Sequence, residues 1–280
     1  MAKTRVLLLA VALVTGLATW AQGSVSGGPD TVGVQNGALK LRALLWHPKG
    51  RGPFPAVLFN HGSGTTFARQ LAQAAAVGPA FARHGYVLLF LFRRGSGLSA
   101  DQGTSAADLM DRELAVKGPE ARNKLQIQLL ETDHLSDALA GLAFLRTLPE
   151  VDTHRVAVAG HSFGGSLTLL VAERDTALRA AVVFGGSAGS WKHSPQLRAR
   201  LLAAAGRVTA HVFFIHAAND YSLEPARALS AEMQRLSKPN RVKIYPPVGK
   251  TVEEGHDFVY LRVAAWEPDV MAFLKECMRR

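Results

Sequence analysis

Short apolar runs alternate with longer stretches of helical spacing along most of the chain. Runs of four to seven residues are typical of buried strands, and longer stretches with apolar residues three or four apart are typical of helices. The predicted strands are residues 55–60, 86–92, 156–159, 180–184, 211–216 and 242–245. The predicted helices are residues 70–84, 124–148, 164–174, 224–236 and 266–278. This alternation predicts an α/β fold with a mostly parallel central sheet and helices on both faces.

Two further strands precede this pattern. Residues 31–35 and 39–46 look like strands, and Asn36-Gly37 between them is a strong hairpin sequence. The sheet is therefore expected to begin with an antiparallel hairpin. Two segments, roughly 95–123 and 185–210, read as irregular, with a short helix near 106–114 in the first and a basic helix-like piece in the second. They are the expected roof of any pocket.

The first 23 residues have the pattern of a secretory signal peptide. Lys3 and Arg5 precede a nearly unbroken apolar run over residues 6–18, and cleavage after Ala21 or Gly23 fits the small-x-small rule. The run is shorter than the roughly 20 residues that span a membrane, so an uncleaved anchor is the weaker alternative. We therefore expect one domain over residues 24–280, secreted or periplasmic, with no stable membrane insertion after cleavage.

Charge and cysteine content exclude several classes of protein. Without the two cations of the signal, 30 basic and 22 acidic side chains remain, a formal charge of +8. They are scattered, whereas nucleic-acid binding favours a clustered basic stripe, so no nucleic-acid partner is predicted. A single cysteine, Cys277, excludes an intrachain disulfide and a paired-cysteine zinc site. The histidines are dispersed and no H-E-x-x-H or Walker motif occurs, so we expect no cofactor and no metal.

The strongest chemical motif is Gly160-His161-Ser162-Phe163-Gly164, which fits G-x-S-x-G. It follows a predicted buried strand and opens a predicted helix. A serine at such a turn is strained and has its hydroxyl exposed, and the flanking glycines prevent clashes where strand and helix nearly touch. Ser162 is therefore the predicted nucleophile. His161 is assigned no catalytic task.

A serine hydroxyl needs a base, and the base needs an orienting acid. In enzymes whose nucleophilic serine lies on such a G-x-S-x-G turn, the chain order is serine, acid, histidine. Asp220 lies just past the strand at 211–216, on the sheet edge expected to carry the serine, and His256 is the only histidine beyond it. Asp220 as a helix cap and His256 as a solvated loop residue are the structural alternatives. Asp257 and Glu254 are rival acids, but they flank the histidine itself.

Acyl transfer also requires donors for the developing oxyanion. The backbone N–H of Phe163, directly after the nucleophile, is the first predicted donor. The second is the N–H of Ser63, with Gly64 as the reserve, because His61-Gly62-Ser63-Gly64 follows an early strand. Arg93-Arg94-Gly95-Ser96-Gly97 looks superficially like a dinucleotide loop, but it lacks a third glycine and a following helix.

Together these motifs resemble the dienelactone hydrolase-like and prolyl oligopeptidase-like branch of the α/β hydrolases, over residues 38–277. The motifs are Asn60-His61-Gly62-Ser63-Gly64, Arg94-Gly95-Ser96-Gly97, Val151-Asp152 before Arg155-Val156, Gly160-His161-Ser162-Phe163-Gly164-Gly165, Asn219-Asp220-Tyr221 and Gly255-His256. The resemblance implies the α/β-hydrolase fold. Dienelactone hydrolases proper have cysteine where this chain has Ser162, so lactone specificity is not carried over. The propeller of prolyl oligopeptidases is absent from this sequence.

The resemblance and the ordered triad lead to one main hypothesis and two alternatives. The main hypothesis is a carboxylic-ester hydrolase with a small-molecule substrate, of short acyl chain, working through an acyl-enzyme. A peptidase or amidase using the same residues is the first alternative, and a catalytically idle binding protein on the same fold is the second. The oligomeric state cannot be read from the sequence.

Overall fold

Eight strands form one sheet in the computed structural model, which describes residues 28–64 and 66–279. The predicted signal peptide, residues 1–23, lies outside the described residues, so its cleavage stays a prediction. The strands are β1 (Asp30–Asn36), β2 (Leu39–Trp46), β3 (Phe54–Asn60), β4 (Val87–Phe92), β5 (Val151–His161), β6 (Ala180–Phe184), β7 (His211–Ala217) and β8 (Asn240–Tyr245).

The strand order is β1-β2-β4-β3-β5-β6-β7-β8. The β1–β2 hairpin and the β2–β4 pair are antiparallel, and all remaining neighbours are parallel. This confirms the predicted mostly parallel sheet with an N-terminal antiparallel hairpin. The carboxyl ends of β3, β5, β6 and β7 consequently lie side by side at one edge, where ligands bind in open α/β sheets.

Helices cover both faces of the sheet. They are α1 (Phe67–Arg83), α2 (Ala106–Glu131), α3 (Asp133–Thr147), α4 (Phe163–Arg174), α5 (Pro195–Arg207), α6 (Glu224–Arg235), α7 (Val252–His256), α8 (Phe258–Leu261) and α9 (Val263–Cys277). None of the helices in residues 28–64 and 66–279 is both long and apolar enough to cross a membrane.

Alternating residues of the buried strands enter two separate cores. In β3, Leu58 belongs to the core under α2 to α6, while Val57 and Phe59 belong to the core under α1 and α9. All three side chains are fully buried. A strand buried on both faces has no polar face, which explains why the central runs are uniformly apolar instead of alternating.

Two sequence predictions about the helices were wrong. Residues 106–131 form the long helix α2, where the sequence indicated an irregular segment with a short helix. Gly118 interrupts its geometry with φ 82°, directly before Pro119, and proline disfavours helical backbone in the residue that precedes it. The predicted helix 124–148 is also two helices, because Thr132, with φ −117° and ψ −93°, separates α2 from α3.

The sheet and a helix approach each other closely at the start of α4. A Cβ added to Gly164 would lie 2.1 Å from the carbonyl oxygen of Asn60 and 2.2 Å from that of His61. A Cβ on Gly160 would lie 2.4 Å from the carbonyl oxygen of Gly164. Gly160 and Gly164 are therefore needed because any side chain at these positions would clash with the neighbouring backbone, as the sequence predicted.

Gly164→Ala should lower the free energy of unfolding by about 3 kcal/mol or more, because the atoms it would displace are backbone and cannot rotate away. Chemical denaturation followed by circular dichroism measures this. Gly33→Ala in β1 is the matched control, since its added Cβ meets nothing within 4 Å, and its effect should stay within about 0.5 kcal/mol. Equal denaturation midpoints for the two variants would contradict the close-packing explanation.

Candidate active site

The turn between β5 and α4 holds Ser162 in a backbone conformation that few serines adopt. Its φ is 57° and its ψ is −119°. A non-glycine residue in such a region carries about 1–3 kcal/mol of strain, which the surroundings must hold in place. The Ser162 N–H donates to the carbonyl of Phe184 at 2.9 Å, and the Ser162 carbonyl accepts from the N–H of Ser166 at 3.0 Å. Pairing with β6 and the start of α4 together fix the turn.

The structure brings Asp220 and His256 into direct contact. Asp220 lies three residues beyond β7, and His256 is the last residue of α7. The Nδ1 of His256 lies 2.7 Å from Oδ1 of Asp220, and the N–H of Tyr221 donates to the same oxygen at 2.7 Å. With Nδ1 as donor, a neutral His256 ring has an unprotonated Nε2, which is the atom that a general base needs.

A second histidine, which the sequence analysis missed, holds the other oxygen of Asp220. The Nδ1 of His216 lies 2.7 Å from Oδ2, and both side chains are about 1% exposed. Burial alone would raise the pKa of Asp220, but the hydrogen bonds from His216 and His256 outweigh it and hold that pKa well below its usual range. The carboxylate is therefore ionised at neutral pH. A histidine at the end of an otherwise apolar strand was the available signal.

The two rival acids are occupied elsewhere. Asp257 forms an ion pair with Arg69. Glu254 accepts from the N–H groups of Lys250 and Thr251 and completes a capping box at the start of α7. The sequence indicated a loop in this region, but the capping box makes it a short helix, which presents His256 at its end. Asp220 is therefore the carboxylate that contacts His256.

His161, the variable residue of the motif, packs beside His256. The two ring centroids are 4.6 Å apart, and Nε2 of His161 lies 2.9 Å from the His256 carbonyl oxygen. Burial, followed by the nearby His256, lowers the pKa of His161 to about 3. A neutral His161 therefore donates its Nε2–H to this carbonyl and supports the backbone of His256.

Ser63 and Phe163, the predicted oxyanion donors, line one cavity together with Ser162 and His256. Ser63 lies in the loop after β3, and its carbonyl accepts from the N–H of Ala107 at 3.2 Å. The amides of Ser63 and Phe163 donate to no other residue in the described part of the chain. Both amides are therefore available to a bound oxygen atom.

Two cavities meet at Ser162 and His256, with volumes of about 280 and 330 Å³. Residues from α2 and from the segment after β6 line the second, so the two predicted roof segments do border the site. They contribute Met110, Arg122, Gln126, Ser187, Gly189 and Ser190. Charged and polar side chains of Arg69, Gln73 and Glu253 line the first.

Three large apolar side chains of the two roof segments, Trp191, Leu109 and Leu98, pack into the cores and not into these walls. Trp191 is 5% exposed and belongs to the core under α2 to α6, and Leu109 packs against the same core. Leu98 packs against the opposite core. Tyr221, 46% exposed, is an aromatic side chain that lines both cavities. The walls of the site are consequently mostly polar.

A metal site would need several ligand side chains close together. Within residues 28–64 and 66–279, no group of three or more His, Cys, Asp or Glu side chains is placed to hold a metal ion.

Comparison with solved structures shows which fold this is. A dienelactone hydrolase from Anabaena variabilis superposes with a TM-score of 0.62 over 90% of this chain and 100% of that one, at 20% identity. An acylaminoacyl peptidase from Pyrococcus horikoshii gives 0.61 over 90% of this chain and 42% of that one, also at 20% identity. The fold is that of the α/β hydrolases.

Sequence comparison adds a relative and a family. The quorum-quenching protein AidA of Acinetobacter baumannii (strain MDR-ZJ06) is 26% identical over 159 residues, which cover 57% of this chain and 44% of that protein. This chain thus matches less than half of the length of that curated relative. The model of the dienelactone hydrolase family matches residues 41–267. The chain, an α/β hydrolase by fold, therefore belongs to the dienelactone hydrolase family.

Proposed function

We propose that this protein is a serine hydrolase that cleaves carboxylic esters through an acyl-enzyme, with Ser162 as nucleophile. The observation that supports this most is the hydrogen bond of 2.7 Å between Asp220 and His256, beside a serine held at positive φ. Ser162 and His256 line the same two cavities, so a substrate in either one reaches both. Membership of a family named after a lactone, which is a cyclic ester, favours esters over amides.

In the first step, Ser162 Oγ attacks the acyl carbon of the ester. Its proton passes to Nε2 of His256, which is the free acceptor because Nδ1 donates to Asp220. The resulting imidazolium lies against an ionised carboxylate, which stabilises its positive charge. Negative charge develops on the former carbonyl oxygen, where the amides of Ser63 and Phe163 would receive it.

Collapse of this tetrahedral intermediate breaks the bond to the alkoxy group. His256 returns its proton to the departing alcohol, and the acyl group remains on Ser162. In the second half of the reaction, water loses a proton to His256 and attacks the acyl carbon. The bond between Ser162 Oγ and the acyl carbon then breaks, His256 returns its proton to Oγ, and the acid leaves. His216 keeps Asp220 in place through both halves, since it occupies the oxygen that His256 does not use.

The Ser162→Ala variant should lower kcat for p-nitrophenyl acetate by about 10⁶-fold, because the only nucleophile of the proposed mechanism is removed. Stopped assays on the purified variant, with circular dichroism to verify folding, measure this. A folded variant that retains more than a tenth of the activity would exclude Ser162 as the nucleophile.

The wild type should cleave the matching p-nitroanilide far more slowly than the p-nitrophenyl ester. Equal rates on the two substrates would favour an amidase.

Asp220→Asn should lower kcat by about 10⁴-fold, because an amide cannot hold His256 in the tautomer that leaves Nε2 unprotonated. Asp257→Asn is the matched control, since Asp257 pairs with Arg69 and does not contact the imidazole Nδ1. Both variants are compared at one pH on one ester. A larger loss for Asp257→Asn than for Asp220→Asn would assign the acid to Asp257.

Short acyl chains should be the best substrates. Each methylene that is buried contributes about 0.8 kcal/mol, but the cavity walls offer few apolar side chains, among them Met110 and Tyr221. A series of p-nitrophenyl esters at fixed pH without detergent should therefore give the highest kcat/KM at about two to six acyl carbons. A maximum at twelve carbons or more would show an apolar acyl site that these walls do not provide.

A further inference from the structure

Arg93 is a buried cation that the mechanism above does not use. It directly follows β4, its side chain is fully buried, and its Nη1 has no hydrogen-bond partner within residues 28–64 and 66–279. Asp137, whose charge acts on Arg93, is itself paired with Arg94. Burial lowers the pKa of Arg93 to about 10, so the guanidinium remains charged at neutral pH. Burying a charged guanidinium costs free energy unless its N–H groups form hydrogen bonds. The residues that accept those bonds therefore indicate what the buried charge does.

Those partners belong to the loop that carries one predicted oxyanion donor. The Nη2 of Arg93 donates to the carbonyl oxygens of His61 and Gly62, each at 2.8 Å. The Nε of Arg93 donates to Nδ1 of His134 at 3.2 Å, which supports the guanidinium from the other side. Arg93 therefore bonds two consecutive carbonyls of the loop directly before Ser63.

His61 reinforces the same carbonyl. Its Nε2 accepts from the N–H of Arg93 at 3.2 Å, so in the neutral ring Nδ1 carries the proton and donates to the Gly62 carbonyl at 2.8 Å. Burial, followed by the charge of Arg93, holds the pKa of His61 well below its usual range, so the ring is neutral. The carbonyl of Gly62, which is partly buried, thus accepts two hydrogen bonds.

The direction of this carbonyl determines the direction of the Ser63 N–H. The two groups belong to one peptide unit, and in a trans peptide C=O and N–H point in opposite directions. A carbonyl held towards Arg93 therefore turns the Ser63 N–H away from it. The loop lies beside Ser162, since a Cβ added to Gly62 would be 3.7 Å from Cβ of Ser162, and Ser63 lines both cavities that Ser162 lines.

Arg93 also contacts the residue that carries the second predicted donor. Its Cζ lies 5.6 Å from the centroid of the Phe163 ring, within the range of a cation–π contact. The same side chain thus contacts the peptide before Ser63 and the side chain of Phe163. These are the two residues whose amides the proposed mechanism assigns to the oxyanion.

We propose that Arg93 is a positioning residue that builds the oxyanion hole by aiming the Gly62–Ser63 peptide at the reacting oxygen. This rests on the proposed ester hydrolysis. The positive charge of Arg93 also polarises the Gly62–Ser63 peptide. A carbonyl that accepts a hydrogen bond from a cation makes the N–H of the same peptide unit a stronger donor. The hydrogen bond from the Ser63 N–H to the reacting oxygen then gains more strength when that oxygen becomes negatively charged than when it belongs to a neutral carbonyl.

The test compares Arg93→Lys and Arg93→Met with the wild type on one p-nitrophenyl ester. Removing a single oxyanion donor from a hydrolase lowers kcat by about 10²–10³-fold. Arg93→Met should therefore lower kcat about 10²-fold with KM changed less than about threefold, and Arg93→Lys should recover part of the loss. Affinity for a trifluoromethyl ketone analogue of the tetrahedral intermediate should fall in parallel with kcat/KM, while inhibition by the product acid should not change.

The matched control is Arg146→Met. Arg146 lies in α3 and is partly buried, it pairs with Asp175 just past α4, and its Nη2 has no hydrogen-bond partner among the described residues. This variant should cost stability and leave kcat unchanged. A double variant adds a second check. In Ser63→Pro, which lacks the amide proton, Arg93→Lys should have little further effect on kcat if Arg93 acts through that amide.

Three results would overturn the proposal. The first is a folded Arg93→Met enzyme with kcat within about threefold of the wild type. The second is a fall in kcat without a matching fall in affinity for the trifluoromethyl ketone. The third is that neither Arg93→Met nor Arg93→Lys folds, which would make Arg93 a requirement of the fold itself. Ester hydrolysis itself is tested separately, by comparing the activity of the wild type with that of Ser162→Ala. A failure of the proposed hydrolysis can therefore be told apart from a failure of the proposed role of Arg93.

Discussion

A buried carboxylate imposes the main constraint on this site. An ionised side chain removed from water is tolerated only when hydrogen bonds replace the water that it loses. Asp220 receives three donors: Nδ1 of His216, Nδ1 of His256 and the N–H of Tyr221. The chain after β6 must also pass close by, because a Cβ on Gly185 would lie 3.1 Å from Oδ2. One carboxylate thereby dictates residues at the ends of β6, β7 and α7.

Asn219, the residue before the carboxylate, keeps α7 at the right distance. Its side-chain amide donates to the carbonyls of Val248 and Thr251, and its side-chain oxygen accepts from the N–H of Val248. A Cβ on Gly255 would lie 2.5 Å from the backbone carbonyl oxygen of Asn219, so α7 packs directly on this backbone. The loop that carries the acid and the helix that carries the histidine are consequently one packed unit.

The sequence predicted the parts of the structure that depend on burial pattern and chain order. All eight strands and the contact between Asp220 and His256 follow from apolar runs and from the order of the motifs. Residues 95–123 were misread because the first half of α2 has no apolar stripe to mark it: Val116 is 78% exposed, and Gly118-Pro119 looks like a break. A polar residue at the end of an apolar strand marks both His216 and Arg93, but it does not reveal their roles. Apolar patterning shows that a strand is buried and not which polar partner a residue at its end meets.

The strand order places the two buried charges on opposite sides of Ser162, the proposed nucleophile. Arg93 follows β4 and Asp220 follows β7, and each strand lies two places from β5, which leads into Ser162. In the proposed attack, a proton moves towards His256 on the side of Asp220, while negative charge develops at the loop that Arg93 holds. The field between a fixed cation and a fixed anion favours this separation of charge, and both are in place before the substrate arrives. An open parallel sheet suits such a reaction, because the ends of its strands hold the two charges at fixed positions on either side of Ser162 without a deep, closed pocket.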